Sequence, residues 1–176
     1  MIADDSRLIL PGEGHAVEIG GVGAVYKLSG ARTGGSFSVV KHPLDPGALA
    51  APPHTHLHED EYSYVIEGEV GFLIGDEEFH APPGSYVLKP RGVVHTFWNR
   101  GPAPARILEV ISPAGFERFF EELAEVVYAT TPSDGDAGEP DEAVMSRVIG
   151  LGHTYGLTFA MERVPYLLEK YRLTLR

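Results

Sequence analysis

His54 and His56 stand two residues apart in the segment Pro53-His54-Thr55-His56-Leu57-His58-Glu59-Asp60-Glu61, and a third imidazole, His95, follows about forty residues later in GSYVLKPRGVVHTFWN. On an extended chain, residues i and i+2 leave the same face, so the first two rings point one way. Three imidazoles and the Glu61 carboxylate, converging inside a barrel, would bind a borderline divalent ion and leave positions open for water or a substrate. The chain has no cysteine, so neither disulfides nor thiolate ligands are available, and a transition-metal site must be built from imidazole and carboxylate. His15, His42, His80 and His153 lack this spacing and read as ordinary exposed or hydrogen-bonded polar residues. His58, with Glu59 and Asp60, reads either as part of a solvated turn or as a support at the rim of the site.

The elements that must position these residues are short. Between about residues 15 and 112 the pattern is of apolar or alternating runs broken by glycine and proline, which predicts antiparallel strands and turns. The runs are His15 to Ile19, Gly23 to Leu28, Ser36 to His42, Glu61 to Ile66, Glu69 to Ile74, Ser85 to Leu88, Val93 to Trp98 and Arg106 to Ile111. Eight such strands suggest a closed barrel or jelly roll, which also removes exposed sheet edges. At Ser112-Pro113 a capping hydroxyl precedes a proline, which predicts a helix over 113–128. Phe116, Phe119, Phe120, Leu123 and Val127 would form its buried face. Further helices are expected from Glu142 to Ile149 and from about Val164 to Tyr171, with the acidic stretch TTPSDGDAGEPD before them read as a loop.

With 176 residues, 43% of them hydrophobic and 22% charged, the chain has the balance of a globular protein and the length for one sizeable core. The expected organisation is a barrel with N-terminal strands over 1–112 and a helical extension of the same domain over 113–176. A formal net charge of −11 opposes binding to phosphate backbones or anionic membrane surfaces, so neither nucleic acid nor membrane is an expected partner. The opening residues MIADDSRLIL are acidic where a signal peptide is basic, and no run approaches the ~18 apolar residues of a membrane span, so the expected location is cytoplasmic.

The two histidine segments resemble the paired motifs of the cupin superfamily. The first family motif, GxxxxxHxH followed by a glutamate and then a glycine, is matched by His54, His56, Glu61 and Gly68; its leading glycine is displaced, since Gly47 sits one residue too early. The second, GxxxxxPxGxxHxxxN, is matched at every position by Gly84, Pro90, Gly92, His95 and Asn99, the chain's only asparagine. The resemblance covers about residues 33 to 112. It implies an all-β double-stranded β-helix with helices packed outside, and His54, His56, Glu61 and His95 as ligands of one divalent transition metal: Fe, Mn, Ni, Co or Zn. Around the motifs, the stretch from Thr33-Gly34-Gly35 to His42 and that from Ser112 to Phe120 are similar to single-domain bacterial cupins related to quercetin 2,3-dioxygenase.

That narrower likeness implies a dioxygenase that opens a flavonol or another enolisable aromatic substrate with molecular oxygen, Glu61 serving as ligand and proton acceptor. No separate cofactor-binding residues are indicated. If Glu61 points into the barrel, alternation sends Ser63 and Val65 inward, and inward His95 brings Phe97; these three are the expected substrate-pocket residues. Two further readings stand beside it: an isomerase, lyase or hydrolase using the ion as a Lewis acid, and a non-catalytic small-molecule-binding protein. The expected partners are a small-molecule substrate and O2, in a homodimer.

Overall fold

The computed structural model describes residues 7–128 and 142–175; the expected acidic loop and the first six residues lie outside them. In chain order the strands are β1 (Ala16–Ile19), β2 (Val22–Leu28), β3 (Ser38–Leu44), β4 (His54–His56), β5 (Asp60–Glu67), β6 (Val70–Ile74), β7 (Glu77–Ala81), β8 (Tyr86–Lys89), β9 (His95–Asn99), β10 (Ala105–Ser112) and β11 (Leu157–Phe159). The helices are α1 (Arg118–Tyr128), α2 (Glu142–Thr154) and α3 (Val164–Tyr171). One sheet runs β1-β2-β3-β10-β5-β8 and the other β11-β4-β9-β6-β7, with every recorded strand pairing antiparallel. The two face each other across a shared core, the jelly-roll barrel expected from the alternation.

Strict alternation builds the inner faces. In β3 the residues Ser38, Val40, His42 and Leu44 are buried and those between them are not; in β10 the buried set is Ala105, Ile107, Glu109 and Ile111. Leu44, Val65, Phe72, Val87, Phe97 and Ile107 close one end of the barrel as a continuous apolar cluster, which at roughly 2 kcal/mol per fully buried side chain supplies much of the stability. The β5–β6 hairpin turns at Gly68, whose φ of +78° suits a residue without a side chain. At Gly71 an added Cβ would stand 2.1 Å from the Trp98 indole, so the buried Trp98 lies flat on bare backbone. Asn99 fixes the turn after β9: its Nδ2 donates to the Leu44 and Ala103 carbonyls at 3.1 and 2.8 Å, and its Oδ1 accepts from the Gly101 N–H at 2.9 Å.

Three expectations need correction. The helix predicted from residue 113 begins at Arg118. The Glu117 carboxylate accepts the N–H groups of Gly30 and Gly115 at 2.8 and 2.6 Å, which ties 113–117 down as a loop and puts Phe116 into the barrel mouth instead of on a helix face. Among the described residues there are eleven strands where eight were expected, because β4, β7 and β11 are too short or too polar to show a period. α2 continues to Thr154, five residues past the expected end, while α3 matches it. α1 packs on β1 and α2, as an apolar face over the barrel requires.

β8 is an edge strand, and outside it Tyr86 and Leu88 continue the exposed strip of Tyr62 and Ile66 from β5. Among the described residues no helix is long and apolar enough to cross a membrane.

Candidate metal centre

β4 holds His54 and His56 on one face, both buried, and β9 lies beside it with His95 directly opposite His54. The three rings come together with centroids 4.7 to 5.4 Å apart, and each offers a nitrogen within 4.8 Å of the others. On the facing sheet, β5 turns Glu61 inward, with Oε1 3.5 Å from His56 Nε2 and Oε2 3.3 Å from His95 Nε2.

The proton on each ring is fixed from behind. His54 Nδ1 lies 2.8 Å from the Pro52 carbonyl and His95 Nδ1 3.0 Å from the Val93 carbonyl; a carbonyl only accepts, so both rings carry their proton on Nδ1. His56 Nδ1 is 3.3 Å from the Glu59 carboxylate, which does the same. All three rings therefore turn an Nε2 lone pair forward. His56 Nε2 and His95 Nε2 are buried and have no hydrogen-bonding partner, and the nearest group they face is another acceptor. Lone pairs on both sides of a gap repel unless a cation lies between them. The separations of 3.3 and 3.5 Å between Glu61 and two of the imidazole nitrogens also suit an ion with bonds of about 2.0–2.2 Å. The residues present thus fit a divalent metal.

The electrostatics agree. Burial first, then the neighbouring imidazoles, holds His54 well below the usual histidine range, and burial also lowers His95. Both stay neutral, the state a metal ligand needs. Burial alone would raise the Glu61 carboxyl, but Lys89 and the imidazoles outweigh it and keep it well below the usual carboxylate range.

Lys89 and Glu109 belong to the site although sequence reasoning assigned them no role, and so do Phe116, expected on a helix face, and Glu59, which supports His56. Lys89 is fully buried at the end of β8, with Nζ 2.7 Å from Glu61 Oε2, 2.7 Å from Glu109 Oε2 and 4.8 Å from the centre of the Phe97 ring. Burial and the Glu61 charge push the Glu109 carboxyl up to about 7, against the pull of Lys89. Phe116 packs edge-on against the His56 ring at 4.4 Å. His58 is exposed, so its side chain belongs to the solvated turn. Of the three expected pocket residues, Phe97 does line the chamber described next. Ser63 does not, because its hydroxyl donates to Glu109 at 3.1 Å, and Val65 does not, because it is packed into the apolar end of the barrel.

Between the barrel mouth and α1 and α2 lies a chamber of about 140 Å³, bounded by His54, Glu61, Phe97, Phe120, Val148 and Phe159 among other, mostly apolar, side chains. His42 also borders it. Burial, reinforced by the Lys89 charge and opposed by the Gly23 carbonyl, lowers the His42 pKa to about 4. A folded pKa below the unfolded one means that the native state binds fewer protons between about 6.5 and 4, so the stability tied to neutral His42 is present above 6.5 and is lost as the pH falls through that window. The expected size is on the order of 3 kcal/mol. Metal-free wild type should therefore lose stability on acidification from pH 7 to 4 more steeply than His42→Phe, in thermal melts with chelator; Glu109 acts with opposite sign in both proteins and cancels in the difference. Equal slopes would exclude a buried neutral His42.

Comparison with known proteins places this geometry. Residues 42–111 match the cupin domain family model. Over 82 residues the chain is 37% identical to germin-like protein subfamily 2 member 2 of Arabidopsis thaliana, an alignment of 44% of this chain and 37% of that one. Over 95 residues it is 33% identical to the tetracenomycin polyketide synthase protein TcmJ of Streptomyces glaucescens, covering 47% of this chain and 64% of that one. The chain therefore spans less than two thirds of the length of these relatives. Among solved structures, KdgF from Halomonas sp. superposes with a TM-score of 0.56 at 17% identity, over 64% of this chain and 98% of that one. An RmlC-like cupin from Shewanella frigidimarina gives 0.53 at 22%, over 62% and 92%; at these identities the likeness is one of fold.

Proposed function

We infer, taking as premise the match of residues 42–111 to the cupin domain family, that the chain is a metal-dependent enzyme, specifically a dioxygenase acting on an enolisable aromatic small molecule. One observation carries the reading: His56 and His95, buried with unpartnered forward nitrogens, stand in a cluster whose third imidazole, His54, and whose carboxylate, Glu61, border a chamber walled by Phe97, Phe116, Phe119, Phe120 and Phe159. His54, His56, His95 and Glu61 would hold the ion, which when bound supplies Lewis-acid polarisation of a substrate oxygen and a route for electrons between substrate and O2. Both oxygen atoms enter the substrate, so no external reductant is needed. The chain's own residues do the rest. The phenylalanines exclude water and hold the ring, Glu61 is the carboxylate nearest to a substrate hydroxyl placed at the imidazoles, and Lys89 holds Glu61 Oε2 in place at 2.7 Å.

A second reading, an isomerase or lyase using the ion as a Lewis acid, is favoured by the Lys89–Glu109 pair, a buried proton donor and acceptor behind Glu61 that oxygen chemistry does not require. One experiment separates them. Metal content is measured on the purified protein, and turnover of a panel of enolisable aromatics, flavonols included, is followed with an oxygen electrode and again under argon. Oxygen uptake stoichiometric with product supports the dioxygenase; equal turnover under argon supports the alternative, and a metal-replete protein with neither activity defeats both.

A further inference from the structure

The chamber beside the metal cluster is smaller than its wall of aromatic rings suggests. Its volume of about 140 Å³ is close to that of a dry apolar cavity of roughly 150 Å³ known to accept benzene, and well below the roughly 300–1,000 Å³ of sites for drug-sized ligands. A three-ring flavonol does not fit into it as it stands. Among the described residues few polar side chains face this space: Glu61, His54 and Glu109 near the metal cluster, and His42 away from it.

His42 is placed to read a ligand. Along the inner face of the sheet, Glu61 shares a row with Ile111 and Ser38, whereas His42 shares one with Ile107 and Val65. The rows are four residues apart, about 13 Å along the strands. Its Nδ1 is 2.8 Å from the Gly23 carbonyl, so the ring proton sits there and Nε2 is left as an acceptor. The ring is held edge-on to Phe120 at 5.1 Å and tilted against Phe97 at 6.1 Å. Kept neutral by burial, it offers a lone pair to a donor within apolar walls, where a hydroxyl gains most from being matched.

We propose that the chamber binds a single-ring ligand with an oxygen donor directed at the metal cluster and a second, ring-borne hydroxyl that donates to His42 Nε2. This rests on the metal reading above and narrows its substrate class from flavonol-sized to monocyclic. An apolar ring of this size fills the space between the phenylalanines. The two polar ends fix its direction, and a ligand lacking the second hydroxyl leaves the His42 acceptor unmatched, a difference of about three- to tenfold in affinity.

The test uses the full chain loaded with zinc, which performs no oxygen chemistry, and calorimetric titration with tropolone, its ring-hydroxylated isomers and 3-hydroxyflavone. Tropolone should bind to the zinc-loaded protein and far more weakly to the metal-free one, with 3-hydroxyflavone at least tenfold weaker than tropolone. One hydroxylated isomer should bind three- to tenfold more tightly than tropolone, a gain lost in His42→Phe and partly kept in His42→Gln, which retains an acceptor. Val148→Phe, which fills the chamber from α2, should abolish tropolone binding and leave zinc content unchanged. Tropolone binding that is the same with and without zinc overturns the metal reading and this inference with it. Zinc-dependent tropolone binding with equal affinity for 3-hydroxyflavone, or with no isomer preferred, overturns the inference alone, as does a gain that survives in His42→Phe.

Discussion

His95→Ala protein should emerge from purification essentially free of metal, whereas wild type carries close to one ion per chain. The ring contributes a neutral nitrogen whose proton is held on the far side by the Val93 carbonyl, so its lone pair is already aimed at the centre. Losing a preoriented ligand removes a bond and the desolvation already met by folding, and the deficit should exceed the tenfold to hundredfold typical of losing a mere supporting group. Glu59→Gln tests that comparison: it weakens the orientation of His56 and should cost affinity in the ten- to hundredfold range. Because His95 is also buried, the variant's folding must be checked by melts with chelator present, where wild type and variant are compared without metal. Metal content of His95→Ala equal to that of wild type would remove His95 from the ligand set.

A second large effect is expected at Lys89. Its ammonium lies between two buried carboxylates, and removing one member of a buried ionic group typically costs about 3–5 kcal/mol because the remaining charge is left without a partner. Lys89→Met should therefore destabilise the metal-free protein by that order. Lys89→Met combined with Glu109→Met removes the Lys89–Glu109 pair and should recover only the part of the loss that comes from leaving Glu109 unpaired, since exchange of a whole buried pair is often neutral. In the double variant Glu61 has no cation left but the metal, so stability should depend on metal more strongly than in wild type. Urea unfolding with and without chelator measures all three, and a single variant as stable as wild type would show that Lys89 is not needed to balance Glu61. Glu61→Gln complements the pair: its amide can still approach the ion, so much of the metal should remain, while turnover that begins with deprotonation should slow by roughly a hundredfold or more. A metal-replete Gln variant with full turnover would eliminate the base role.

The ligand residues were legible in the sequence because a metal site built on strands needs fixed local spacing: a single residue between His54 and His56, a turn to Glu61, and a return of the chain to His95. The barrel was legible from alternation for the same reason. Lys89 and Glu109 were harder, since their contact joins β8 to β10 across β5 and no local spacing records it. A signal did exist. In Ala105 to Ile111 the inward parity reads Ala, Ile, Glu, Ile, and a charged residue at a core position implies a buried partner. The helix start was misplaced because Ser112-Pro113 carries the chemistry of a capped N-terminus. What decides the outcome is Glu117, whose carboxylate is engaged by Gly30, a residue eighty-seven positions away. His42, read as an ordinary hydrogen-bonded histidine, is hydrogen-bonded as expected, but nothing local reveals that it borders the chamber.

The strand that carries two of the imidazoles is only three residues long, and on the side away from β9 its neighbour is β11. His54 pairs with Phe159 and His56 with Leu157, partners about a hundred residues further along the chain. During synthesis from the N-terminus, all four metal-facing side chains leave the ribosome long before the segment that braces β4 exists. Closing so long a loop is slow relative to forming the hairpins inside the barrel. The nascent barrel thus passes through a stage with its histidines made but one flank of their strand open, and the ion's final enclosure waits on the C-terminal fifth of the chain.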